Sequence, residues 1–177
     1  MTKIKVITDS IADLPPNLIE KWQSESVPCY INFEEKSLKD DGVELDRAQF
    51  YKDLANFKEY PTTAAPSPIL GEELMRSNLE DHDYVISING ASNISGTYNN
   101  MRLAAQTVDP ERIFVINAGN ISAAIGLQVL IACEMVEQGK DVHEIVAAVD
   151  KLKYHTRLYG AIYNLETLRR SGRISSV

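Results

Sequence analysis

Four short runs of apolar, largely β-branched residues (4–8, 27–33, 84–88 and 113–116) are separated by segments with helical periodicity. No other feature of the chain limits its fold as much. Runs of this length suit strands buried on both faces, and parallel strands need helical crossovers between them. The intervening segments carry helix marks of their own. Leu14, Leu18, Ile19 and Trp22 share a face behind Asp13 as N-cap, with Pro15 and Pro16 in the first turn. Phe50, Leu54 and Phe57 follow Asp46, which has Gln49 at capping-box spacing. Leu70, Leu74, Met75 and Leu79 follow the cap Ser67, and Tyr98, Met101, Ala105 and Val108 mark the next helix. Residues 121–138 are apolar on most sides and are expected to form a buried helix closed by Gly139. Asp141 and Glu144 open another, bearing Ile145, Val146, Val149 and Leu152.

The alternation predicts an α/β domain over residues 1–155, a parallel sheet with helices on both faces and right-handed crossovers. Residues 34–42 read as a loop or small hairpin. Residues 60–68 are expected to be irregular, because Pro61, Pro66 and Pro68 fix φ and remove donors. A fifth strand over 158–163 and a basic stretch after it make 156–177 the beginning of a second α/β domain, incomplete in this chain.

Composition narrows the function classes. Across 177 residues, 18 Lys+Arg stand against 25 Asp+Glu, a net charge of -7. Phosphate-rich partners and anionic membrane surfaces select basic faces, so nucleic acid is not an expected partner. The most apolar stretch, 121–136, contains Ser122 and Gln128 and falls short of the ~20 residues a membrane span requires. The first residues lack a long apolar signal region. Cys29 and Cys133, far apart in apolar segments, read as buried reduced thiols of a cytoplasmic protein. His82, His143 and His155 lack metal-ligand spacing, and no metal is expected.

In an open parallel sheet, ligands bind at the carboxyl ends of the strands. Three loops lie there: Asp9-Ser10, residues 89–97 and residues 117–121. In the second, a strand runs through Asn89-Gly90-Ala91-Ser92-Asn93-Ile94 into Ser95-Gly96-Thr97, where a helix begins. Helix-start N–H groups with two hydroxyls form a cradle for a carboxylate or phosphate. The simpler account makes Ser95 an ordinary N-cap. Thr62 and Thr63, on a proline-held segment, offer hydroxyl donors to a ligand oxygen, or are part of a plain connector. Asp9 suits either a catalytic aspartate or a strand-end turn residue. Arg170 and Arg173 offer an anion or partner contact, or a solvated helix end.

Five segments in order resemble the DegV family of bacterial fatty-acid-binding proteins. Ile7-Thr8-Asp9-Ser10-Ile11-Ala12-Asp13-Leu14-Pro15 is similar to the family's opening, and Asp41-Gly42-Val43 before Phe50-Tyr51 fits its next segment. Pro61-Thr62-Thr63-Ala64-Ala65-Pro66-Ser67-Pro68 resembles the Thr-Ser-Gln-Pro-Ser loop, and Ile94-Ser95-Gly96-Thr97-Tyr98 the Leu-Ser-Gly-Thr-Tyr motif. Thr167-Leu168-Arg169-Arg170-Ser171-Gly172-Arg173-Ile174-Ser175 matches the Leu-Arg-Arg-Gly-Gly-Arg-Ile-Ser signature.

The resemblance implies a two-domain α/β protein that holds a long-chain fatty acid in a tunnel between its domains. Thr63 and Ser95 take the carboxylate, with Thr62, Gly96, Thr97, Asp9 and Ser10 as supporting candidates. It further implies a fatty-acid kinase partner to which the carboxylate is presented, no catalytic residues, and no cofactor other than the lipid. Ala64-Ala65 depart from the family's Ser-Gln, and Asn117-Ala118 stand where it has Asp-Ser. Family chains extend beyond the Gly-Arg-Ile segment, so the far wall of the tunnel is expected to lie outside residues 1–177. The alternative function is a phosphotransfer or kinase-like enzyme subunit using Asp9 and the Ser95 loop, with Glu34-Glu35 and Asp40-Asp41 as acidic loops.

Overall fold

A computed structural model describes residues 2–162 and 165–170. The chain divides into two units: residues 1–28 with 65–158, and residues 29–64 with 159–177.

The first unit is built on four parallel strands: β1 (Ile4–Asp9), β2 (Glu25–Val27), β6 (Tyr84–Asn89) and β7 (Ile113–Asn117), in the order β2-β1-β6-β7. Strand alternation separates two cores. Ile4, Val6, Ile86, Ile88 and Ile116 face one side and pack with Ile125, Val129, Ala132, Ile145 and Val149 of α5 (Ala123–Glu137) and α6 (Val142–His155). Leu14 and Trp22, flanking and closing α1 (Pro16–Trp22), pack against the same cluster. Ile7, Val27, Val85 and Ile113 face the other side and pack with Met75, Met101, Ala104 and Ala105 of α3 (Pro68–Asp81) and α4 (Thr97–Val108). The parallel sheet covered on both faces is therefore present. Three expected caps also hold: Asp46, Ser67 and Asp141 accept from Gln49, Leu70 and His143 N–H respectively.

The second unit holds an antiparallel sheet in the order β4-β3-β5, from β3 (Tyr30–Phe33), β4 (Lys36–Lys39) and β5 (Thr62–Ala64). Phe33 meets Phe50 of α2 (Arg47–Asp53) at 5.3 Å between ring centroids and Phe57 at 5.0 Å. The β3–β4 hairpin turns through Glu34 and Glu35, both at positive φ (46° and 63°). The helix α7 (Glu166–Arg170) also belongs to this unit.

Several expectations need correction. The run 27–33 is not one strand. Pro28 cannot donate to a ladder, and β2 and β3 on either side of it join different sheets. The segment 60–68 is not wholly irregular. Between Pro61 and Pro66 the chain has room for β5, which pairs Thr62 with Asn32 and Thr63 with Ile31. Residues 158–162 form no strand, and Tyr163, the end of that expectation, lies outside the described residues. Antiparallel pairing gathers 29–64 into the second unit. Finally, Asp13 does not cap α1. It closes a 3₁₀ turn over Ser10–Ala12 in the left-handed region (φ 49°), and Pro15 takes the cap position.

Candidate functional site at the carboxyl ends of the strands

The strand order reverses between β1 and β6. The chain leaving β1 goes to the face of α1, and the chain leaving β6 goes to the face of α4. The two loops therefore part at this point, the usual place for a ligand crevice in an open sheet. Asp9 fills its base. The residue has 0% exposure, and three donors converge on its carboxylate: Ile11 N–H on Oδ1 at 3.0 Å, and Asn89 Nδ2 and Gly90 N–H on Oδ2 at 3.1 and 3.0 Å. Ser87 Oγ donates to Asn89 Oδ1 at 2.7 Å and orients that amide. Burial raises the Asp9 pKa, against the lowering effect of those hydrogen bonds. Asp9 thus ties the end of β1 to the start of the 90–96 loop, and both its oxygens are engaged. Ser10 opens the adjoining 3₁₀ turn.

The 90–96 loop is held at each step. Ala91 N–H donates to Asn120 O at 3.0 Å, and Ile94 and Ser95 N–H both donate to Ala91 O. Asn117 grips the loop from β7: its Nδ2 donates to Ser92 Oγ at 2.8 Å, and its Oδ1 accepts from Gly119 N–H at 3.0 Å. The departure at Asn117-Ala118 therefore has a local purpose, and Ala118 itself is fully buried.

The loop delivers Ser95 to the start of α4. Gly96, not Ser95, occupies the cap position. Ser95 Oγ nonetheless accepts from Thr97 N–H at 3.3 Å and lies 2.8 Å from Thr97 Oγ1. Thr97 is fully buried, while Ser95 is half-buried and Gly96 exposed. The half-buried hydroxyl backed by a helix start is suited to an anionic oxygen.

Two contacts inside the first unit bring the segment after β5 to this loop. A Cβ built on Gly96 would lie 3.7 Å from Ala65 Cβ. Asn100, in the first turns of α4, donates through Nδ2 to Pro66 O at 2.9 Å. Within β5, Thr62 and Thr63 are both exposed. Neighbouring residues of a strand face opposite sides, so the two hydroxyls cannot share one ligand oxygen. In α7, the Arg170 guanidinium lies 6.0 Å from the Tyr60 ring centroid, and Arg173 lies outside the described residues. Among the described residues no group of three or more His, Cys, Asp or Glu side chains could hold a metal. None of the helices there is long and apolar enough to cross a membrane.

Sequence reasoning named Asn89 and Asn117 only as members of strand-end loops and passed over Asn100, whereas their side chains hold the loops after β1, β6 and β7 and the segment at Pro66. Their only signal was asparagine at strand ends and in a helix's first turns, where its side chain bonds the backbone readily.

The family model described as "uncharacterised protein, DegV family" matches residues 3–177. The chain belongs to the DegV family. A DegV domain-containing protein of Caldanaerobacter subterraneus is 38% identical over 175 residues, 99% of this chain and 62% of the relative. A fatty acid-binding protein of Thermotoga maritima is 30% identical over 177 residues, 98% of this chain and 61% of the relative. The chain thus spans about three-fifths of the length of these DegV relatives. Among solved structures, a fatty-acid-binding DegV family protein from Thermus thermophilus superposes with a TM-score of 0.88 at 29% identity, covering 97% of this chain and 61% of that one. A DegV family protein from Ruminococcus gnavus with vaccenic acid gives a TM-score of 0.83 at 25% identity, covering 96% and 61%.

Proposed function

We propose that this protein binds a long-chain fatty acid and holds its carboxylate with the hydroxyls of Thr63 and Ser95. The observation that carries the reading is the half-buried Ser95 Oγ at the start of α4, in a fold shared with proteins described as fatty-acid-binding. A hydroxyl there donates to a carboxylate oxygen, and the helix start favours the negative charge. Thr63 donates to the same head group, with Thr97 and Gly96 shaping the Ser95 side. Asp9 and Ser10 act behind the loop. Thr62, on the opposite face of β5, is left out of the head-group shell.

Burying the acyl chain contributes about 0.8 kcal/mol per methylene, which makes the tail the main source of affinity and the carboxylate the source of orientation. The protein works in the cytoplasm as a carrier without catalytic residues, and needs no cofactor beyond its ligand. It presents the carboxylate to a fatty-acid kinase, with Arg170 and Arg173 as a contact for that partner or for an anion.

The test is native mass spectrometry of the purified full-length protein, followed by denaturing release of whatever is bound. A mass increment matching one fatty acid supports the reading. A bare protein that takes up no fatty acid on titration overturns it.

A further inference from the structure

We infer that Thr97 is a positioning residue: its buried hydroxyl donates to Ser95 Oγ and so reserves the Ser95 proton for an oxygen of the ligand. This role presupposes that Ser95 meets the fatty-acid carboxylate, as proposed above. Ser95 and Thr97 both belong to the first unit. The backbone N–H of Ser95 is spent on Ala91 O at 3.0 Å, so the hydroxyl is the donor with which this residue can address a ligand. A serine hydroxyl has one proton and two lone pairs. Thr97 N–H donates to Ser95 Oγ at 3.3 Å, a local bond of the kind serine makes two residues ahead, and takes one lone pair.

The 2.8 Å contact between Ser95 Oγ and Thr97 Oγ1 decides the rest. Of two hydroxyls in contact, one donates and the other accepts. If Ser95 donated, its proton would be used up inside the pair, and a ligand would meet only oxygen lone pairs. A carboxylate has lone pairs and no proton, so it would be repelled. If Thr97 donates, both Ser95 lone pairs are filled and the Ser95 proton has to leave the pair. Thr97 has 0% exposure and Ser95 is half-buried, so Ser95 is the member of the pair that stays within reach. The bound state is then a chain, Thr97 O–H to Ser95 O–H to carboxylate, in which each bond polarises the next. With no lone pair left, Ser95 accepts nothing further, and it favours an oxyanion over a head group that must donate.

The readout is the affinity of the full-length protein for palmitic acid relative to methyl palmitate. A bond to a carboxylate is about twice as strong as one to a neutral carbonyl, so a badly aimed Ser95 proton costs the acid more than the ester. Thr97→Val removes the hydroxyl and keeps the shape, Thr97→Ala removes it with less bulk, and Thr97→Ser keeps it. The first two should lose about 2- to 5-fold in preference for the acid, part of the range of one charge-assisted hydrogen bond. Thr97→Ser should retain most of the preference. Because Thr97 acts through Ser95, adding Thr97→Val to Ser95→Ala should lower the preference no further.

Provided that Ser95→Ala itself lowers the preference, three results would overturn the inference: equal losses for acid and ester, an unchanged preference in both Thr97→Val and Thr97→Ala, or a further loss in the Ser95→Ala background. So would a Thr97→Ser protein that behaves like Thr97→Val. If Ser95→Ala leaves the preference intact, the head-group reading fails, and the positioning role with it.

Discussion

Asp9 is a buried carboxylate that ties two strand-end loops together. Its three donors are two backbone N–H groups and the Asn89 amide. In Asp9→Asn, the new NH₂ must face at least one of them, leaving donor against donor in a closed space. We expect a loss of about 1–3 kcal/mol, read by denaturant melts. The pH dependence has a definite sign. The folded pKa is raised above the ordinary 3.8, so the folded protein binds this proton more tightly than the unfolded chain. Its contribution to stability falls as pH rises from 3.8 through the raised value, and recovers on acidification. The deficit of Asp9→Asn relative to the parent should therefore narrow as pH rises across that window. A deficit that is flat with pH would show that Asp9 does not titrate there. At this scale, Asp9 and Ser95 stand out in the sequence, an acid closing an apolar run and a hydroxyl before an expected helix. The asparagines do not, because each acts on a carboxylate, hydroxyl or carbonyl distant in sequence. Asn100 and Pro66, for example, are 34 residues apart.

Among the elements, helices with caps were the most legible, because Asp46, Ser67 and Asp141 act within three residues. Sheet membership was not. Nothing local tells Glu25–Val27 to join a parallel sheet and Tyr30–Phe33 an antiparallel one, since partners such as Thr63 come from elsewhere in the chain. Two predictions belong here. The β3–β4 turn places Glu34 and Glu35 at positive φ, where a side chain costs about 1–2 kcal/mol and Asn-Gly is favoured. Replacing the pair by Asn-Gly should stabilise the protein by about 1 kcal/mol or more, read as a higher thermal midpoint. Gly126 is the converse case. A Cβ there would lie 3.0 Å from Ala12 O and 3.2 Å from Leu14 Cδ2, so α5 approaches the 3₁₀ turn closely because no side chain intervenes. Gly126→Ala gains up to about 1 kcal/mol of helix propensity, against overpacking of about 1–3 kcal/mol. A lower thermal midpoint is expected, and an unchanged one would show that the turn yields.

For the whole molecule, the decisive fact is that residues 3–177 carry the DegV pattern over about three-fifths of the length of relatives. The parallel sheet sets the loops after β1, β6 and β7 side by side at one end, and the Asp9 and Asn117 bonds hold the middle loop from either side. The arrangement fixes the Ser95 hydroxyl at the start of α4, and the proposed role of that hydroxyl and of Thr63 can be tested by affinity. The measurement that tests this most directly is the dissociation constant of a long-chain fatty acid for the full-length protein and for its Thr63→Ala/Ser95→Ala double variant. The account predicts at least about tenfold weaker binding in the double variant, because a carboxylate loses two oriented donors. Equal affinity for the two proteins would contradict it.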